Sequence, residues 1–184
     1  MIQRTDIDSW AAAHDAASAT HVYNNDVVEI YRGRTAAPTY FLGRSGIVFP
    51  VSSGLTIISA SIFLYGNSAS GDEFPDDIVL VDGSDLADTL VVADYGDLLN
   101  DIISYGSINS NNFVAEGWNE IALNASGIAA LQAASTAGNN FRLGVRLGKD
   151  ISDTAPTLSH YDEVIFYGSN SSSSLFKPWI VMID

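Results

Sequence analysis

Between residues 56 and 65, apolar and small polar side chains alternate with a period of two. Ile58, Ala60, Ile62 and Leu64 fall on one side, and Ser59 and Ser61 on the other, where Phe63 and Tyr65 follow. Successive side chains of an extended strand point to opposite faces, so this pattern calls for one face against a core and one toward solvent. Gly54 before the run and Gly66-Asn67 after it supply turn residues at both ends. One such strand cannot bury its own apolar face, and the chain must bring further strands to it.

Further candidates recur along the chain. Strands are predicted over residues 22–31, 40–49, 77–81, 104–108, 118–123, 142–147, 163–167 and 179–183. In the 142–147 run Leu143, Val145 and Leu147 are expected inward, and Arg142 and Arg146 outward. Two short helical pieces interrupt the strands. One spans 124–134, capped by Asn124 or Ser126, with Ile128 and Leu131 at helical spacing. The other is a turn or two within 94–103. A parallel α/β fold would need long helices between strands, and none is visible. The expected fold is all-β: an antiparallel β-sandwich, a jelly roll of about 8–9 strands with one or two short helices. Residues 22–184 form a single domain on this reading. The alanine-rich residues 1–21 form an arm or irregular segment that covers its own sheet edge or docks on a neighbouring subunit. No fixed-period repeat divides the chain.

Composition bounds the function. Of 184 residues, 22 are acidic and 8 basic, a net charge of -14, which sets the chain against nucleic acid and anionic membranes as partners. Apolar residues at 47% and charged residues at 16% favour a packed core over disorder. With no cysteine, disulfides, thiolate metal sites and cysteine nucleophiles are excluded. The start of the chain lacks a basic stretch followed by an apolar run, so no secretory leader is expected. No apolar stretch reaches the roughly 18 residues of a membrane span.

Catalytic signatures are sparse. His14, His21 and His160 show no metal-binding spacing, and no Gly-x-Ser-x-Gly elbow or phosphate loop occurs. Neighbouring acids such as Asp162 and Glu163 alternate across a strand and so do not form one site. No catalytic residue and no enzyme activity are expected. Calcium is the one cofactor left open: oxygen-rich loops at Asp150 to Asp153 and around Asp72 to Asp77 could supply hard ligands, although solvated turns are the simpler reading. Candidate ligand or interface residues are Trp10, Tyr95 and Tyr105 for their rings, and Arg44, Arg142 and Arg146 for their charge. Tyr95 and Tyr105, each beside a glycine, are expected in exposed loops. Core or rim packing is the simpler use of Trp10, Trp118 and Trp179.

Several segments taken together resemble jelly-roll modules of the DNRLRE-domain group. They are Ser59-Ala60-Ser61-Ile62-Phe63-Leu64-Tyr65 with its lead-in from Gly54, Gly43-Arg44-Ser45-Gly46-Ile47-Val48-Phe49, Asp77-Ile78-Val79-Leu80-Val81-Asp82-Gly83, Asp94-Tyr95-Gly96, Arg146-Leu147-Gly148-Lys149-Asp150-Ile151, and the closing Lys177-Pro178-Trp179-Ile180-Val181. The Asp-Asn-Arg-Leu-Arg-Glu signature itself is absent. The resemblance implies a non-catalytic module, of a kind found in exported and cell-surface proteins and in phage virions. The leading expectation is a virion structural protein: a capsid decoration or tail-associated surface protein, in contact with other virion proteins and with copies of itself, with glycans as a further candidate partner. The alternative is a carbohydrate-binding module, assisted by calcium, of an extracellular or cell-surface system.

Overall fold

A computed structural model describes residues 1–6, 9–23, 26–37 and 39–183. Eleven strands run in chain order: β1 (Ile2–Asp6), β2 (His21–Val22), β3 (Val27–Arg34), β4 (Tyr40–Phe49), β5 (Ser59–Gly71), β6 (Asp77–Asp82), β7 (Ser104–Asn109), β8 (Trp118–Ala122), β9 (Phe141–Leu147), β10 (Tyr161–Tyr167) and β11 (Trp179–Ile183). Four α-helices join them: α1 (Trp10–His14), α2 (Asp94–Asn100), α3 (Ala125–Ala137) and α4 (Gly148–Ile151). The all-β antiparallel architecture is the one expected, with two or three more strands and two or three more helices. Part of the strand predicted over 22–31 falls on residues outside those described.

All the strand pairings are antiparallel, and they join into one curled half-barrel in the order β11-β5-β10-β3-β4-β9-β6-β7. β1 adds to β4 and β8 adds to β5. Two long strands make the curl. Tyr40 to Gly43 of β4 pair with β3, whereas Ser45 to Phe49 pair with β9. The first half of β5 pairs with β11 and β8, and its second half with β10. Each strand therefore belongs to two sheets. β7, which ends this path, and β8, which branches from β5, adjoin without a ladder between them.

The period-two pattern places the core. Ala60, Ile62 and Leu64 of β5, Ile78 and Leu80 of β6, and Leu143, Val145 and Leu147 of β9 all point inside the curl. Ile58, expected on that face, precedes the strand and is exposed, because β5 begins only at Ser59. α3 presses Leu131 onto this core, and its N-cap is Asn124, whose side chain accepts from the amides of Ser126 and Gly127.

A second apolar cluster lies on the other side of β6. Val79 and Val81 meet Ile2, Trp10, Ala19, Leu42, Tyr95 and Leu98 there. The N-terminal residues thus lie against their own chain: β1 hydrogen-bonds to β4 over Ile2 to Asp6, and α1 and α2 roof the sheet. This roof explains why Arg146 is buried rather than outward. Its strand face is covered, not solvated.

One buried side chain fixes the turn that leads into β8. Asn119 accepts from the Val114 amide at 2.8 Å and donates to the carbonyls of Val114 and Gly117 at 3.0 and 3.2 Å. Asn119→Ala leaves these groups without partners and is expected to cost about 1–3 kcal/mol. Chemical denaturation of the two chains checks this.

Candidate functional site

Six of the eight residues singled out from the sequence meet in one network, closed to solvent except at Asp153. Arg44 on β4 donates from Nε and Nη2 to the two carboxylate oxygens of Asp150 on α4, at 3.0 and 2.8 Å. Arg146 on β9 donates from Nε to Asp150 Oδ2 at 2.7 Å. Further guanidinium hydrogens go to main-chain carbonyls. Arg44 reaches Tyr95 at 3.0 Å and His14 at 3.2 Å, and Arg146 reaches Leu98 at 2.6 Å. The Arg44 guanidinium also lies 4.2 Å from the centre of the Tyr95 ring, and the Tyr95 hydroxyl donates to the Ala13 carbonyl at 2.7 Å. Trp10 Nε1 donates to Asp153 Oδ1 at 2.7 Å.

This arrangement ties α1, α2 and α4 to β4 and β9, and presents no reactive face. Burial alone would raise the Asp150 pKa, but the Arg44 and Arg146 charges and hydrogen bonds outweigh it and hold the carboxyl well below the usual range. Both Asp150 oxygens, expected as possible calcium ligands, are thus committed to guanidinium groups. The Asp153 carboxylate serves Trp10. Among the described residues, no group of three or more His, Cys, Asp or Glu side chains is placed to hold a metal ion. Tyr95, expected in an exposed loop, is fully buried because α2 packs its ring under α1. Tyr105, expected likewise, lies in β7 with its ring stacked toward Phe141. Arg142 is half-buried and pairs with the exposed Asp88 at 2.6 Å.

A third buried cation, Arg32 on β3, was not singled out from the sequence. It donates to Asp162 at 2.7 Å, to Glu73, and to the Thr154 carbonyl at 3.0 Å. Burial would raise the Glu73 pKa, but hydrogen bonds from Thr157, His160 and Arg32 bring it down to about 2.

The accessible chemistry lies elsewhere, on the outward face of β8, β5 and β11. Strand register sets Phe63 between Glu120 and Trp179, and Tyr65 opposite Trp118. Phe63 and Trp179 stack at 4.2 Å with a 12° interplanar angle. Trp118 meets Trp179 edge-on at 5.7 Å and Tyr65 at 5.3 Å. Phe176 and Tyr167 extend the cluster from Tyr65 at 4.4 and 5.9 Å. Six rings therefore form one continuous surface. Trp118 remains 39% exposed and Trp179 42%, and the aliphatic rim is more open, with Ile183 at 58% and Leu175 at 74%. Ser59 and Ser61, small residues in the middle of the face, leave a hollow of about 140 Å³ bounded by Phe63, Glu120, Val181 and Ile183. On its other side Trp118 borders a cleft of about 350 Å³ at the β7–β8 seam, lined by Ser107, Asn109, Asn112 and Glu120. Period-two reading placed Phe63 and Tyr65 on the side opposite the core. It could not show that two tryptophans from strands distant in the chain would join them.

β11 also forms an edge. Among the described residues it pairs with β5 alone, and its sequence Trp179-Ile180-Val181-Met182-Ile183 carries neither charge nor proline. Natural edges are commonly blunted by such residues.

Removing the central carboxylate should unmask the two arginines. Asp150→Asn is expected to destabilise the fold by about 3–5 kcal/mol, since it leaves buried guanidinium groups uncompensated. Urea titration measures this. The Glu73 interaction sets an acid limit. Its folded pKa is depressed, so its contribution is complete above the ordinary carboxylate value of 4.5 and is lost as pH falls through about 2. Thermal melts across that window should fall more steeply for the wild type than for Glu73→Gln.

No protein-family model matches this chain, and no curated protein matches it significantly.

Proposed function

We propose that this protein is a non-catalytic assembly and attachment module whose working surface is the aromatic face of β5, β8 and β11. The observation that carries this reading is the continuous, partly exposed set of six rings with an aliphatic rim. Contiguous apolar patches of this kind on a folded chain mark protein contacts, and tryptophan and tyrosine dominate the energetics of such contacts. The rim of Val181, Ile183 and Leu175 suits a protein surface better than a sugar, which needs hydrogen-bonding groups across the whole site. The DNRLRE-like resemblance supports the same use: a surface or decoration protein of a phage capsid or tail, which stabilises the particle or mediates attachment, and which acts at the virion surface or otherwise outside the cell. The acidic charge favours solubility before assembly and keeps nucleic acid away.

One observation favours a second reading, carbohydrate binding. The β7–β8 cleft sets polar side chains of Ser107, Asn112 and Glu120 beside the half-exposed Trp118 ring, which combines a stacking surface with hydrogen-bonding groups.

The double variant Trp118→Ser, Trp179→Ser removes the two exposed rings and leaves the interior residues in place. Sedimentation velocity over a range of concentrations is expected to show self-association for the wild type and a monomer for the variant, with similar melting temperatures. A wild-type chain that stays monomeric and binds oligosaccharides on a glycan array through Trp118 would replace the assembly reading with the second one.

A further inference from the structure

A separate pocket lies on the face of β3 and β10 that points away from Val28, Ile30 and Val164. Its volume is about 320 Å³, and Gln3, Tyr23, Glu29, Tyr31, Phe41 and Tyr161 line it. Two glycines shape its base. A Cβ on Gly33 would stand 2.2 Å from the Phe41 ring and 2.6 Å from the Tyr161 ring, and one on Gly43 would stand 2.6 Å from the Tyr31 ring. Glycine at these positions lets three rings lie down across the strands. Their centres are 5.5 to 6.3 Å apart.

Against these rings stands a pair of carboxyl groups. Glu29 and Glu163 lie diagonally across the β3–β10 ladder, since Glu163 faces Tyr31 and Glu29 faces Ile165. The Tyr161 hydroxyl donates to Glu163 Oε1 at 2.6 Å. Burial first, and then the neighbouring Glu163, raise the Glu29 pKa to about 7. The positive charge acting on Glu29 is the Met1 α-amino group, which donates to the Tyr23 carbonyl at 2.9 Å and which burial draws down to about 6. Arg32, Arg44 and Arg146 are committed to Asp162, Glu73 and Asp150. Above neutral pH Glu29 is therefore ionised beside aromatic faces, while the Met1 amine has lost its charge.

We infer that this pocket binds an organic ammonium ion, a primary or quaternary amine small enough to place its charge at Glu29 and its apolar periphery on Tyr31, Tyr23 and Phe41. Cations of this kind are attracted both to carboxylates and to ring faces, and desolvation strengthens the attraction. A hard metal ion would demand six or more oxygen ligands, and the aromatic walls supply none. An anionic headgroup attached to the amine would be repelled by the same carboxyl pair. Free amines are thus favoured over phosphate-bearing ones.

Amide chemical shifts of the whole chain, titrated with choline, report binding residue by residue. Choline should perturb β3, β4 and β10 with a dissociation constant on the order of 1 mM. Binding should tighten about tenfold from about pH 6 to about pH 8, because the cation replaces the proton on Glu29. Phosphocholine should bind more weakly than choline. Glu29→Gln, which keeps the shape of the carboxyl pair, should weaken binding and remove most of its pH dependence, leaving only the smaller contribution of the Met1 amine. Phe41→Leu should weaken binding and leave the pH dependence in place. Shifts that are absent, that map elsewhere, or that persist unchanged in Glu29→Gln would overturn the inference. So would calcium chloride producing the same shifts more strongly than choline, which would make the carboxyl pair a metal site.

Discussion

The buried triad of Arg44, Asp150 and Arg146 is the interaction on which the remaining architecture depends. It lies where β4 leaves one sheet for the other, and it grips β9, α4, the end of α1 and the start of α2 at once. Two guanidinium groups around one carboxylate leave a net positive charge in the interior. That charge is spread over main-chain carbonyls from His14, Tyr95 and Leu98. Such a group is costly to bury, and it is retained only where geometry satisfies nearly every hydrogen. Its contribution is specificity: the helices can sit on the sheet in one register, because any other would strand a cation. The apolar cluster of Trp10, Tyr95, Leu98, Val79 and Val81 then fills the space that this register defines.

The same roof leaves the molecule with one covered side and one uncovered side. The N-terminal strand and helices cover β4, β6 and β9, so those strands are buried on both sides. The far end of the half-barrel, where β8, β5 and β11 lie, has no such cover. Its outward residues are the aromatic ones. A surface of this kind costs solubility unless it is used, and the net charge of -14 offsets that cost away from the patch.

Much of the fold was legible in the sequence because apolar period is a local property. β4 and β11 occur at the predicted bounds, and Asn124 caps α3 as expected. β1 was missed because Gln3, Arg4 and Thr5 offer no alternation, and Ile2 alone anchors the strand. The site was less legible. Arg44, Arg146, Tyr95 and Asp150 did stand out as residues of consequence. Charge normally marks a solvated face, however, and nothing local announces that a distant segment will cover it. The Glu29–Glu163 pair was invisible for the same reason. Its members are far apart in the chain, and they become neighbours only through the β3–β10 register.

The place of β11 in the chain carries a consequence for biosynthesis. Its partner β5 is made more than a hundred residues earlier, with Ser59 to Phe63 waiting for Trp179 to Ile183. Until that last strand emerges from the ribosome, Phe63 has no Trp179 to stack on and the six-ring surface does not exist. Contacts of such sequence separation form late in folding. The aromatic face is therefore completed in the same step as this side of the interior, since Ile180 and Met182 of β11 pack on the core.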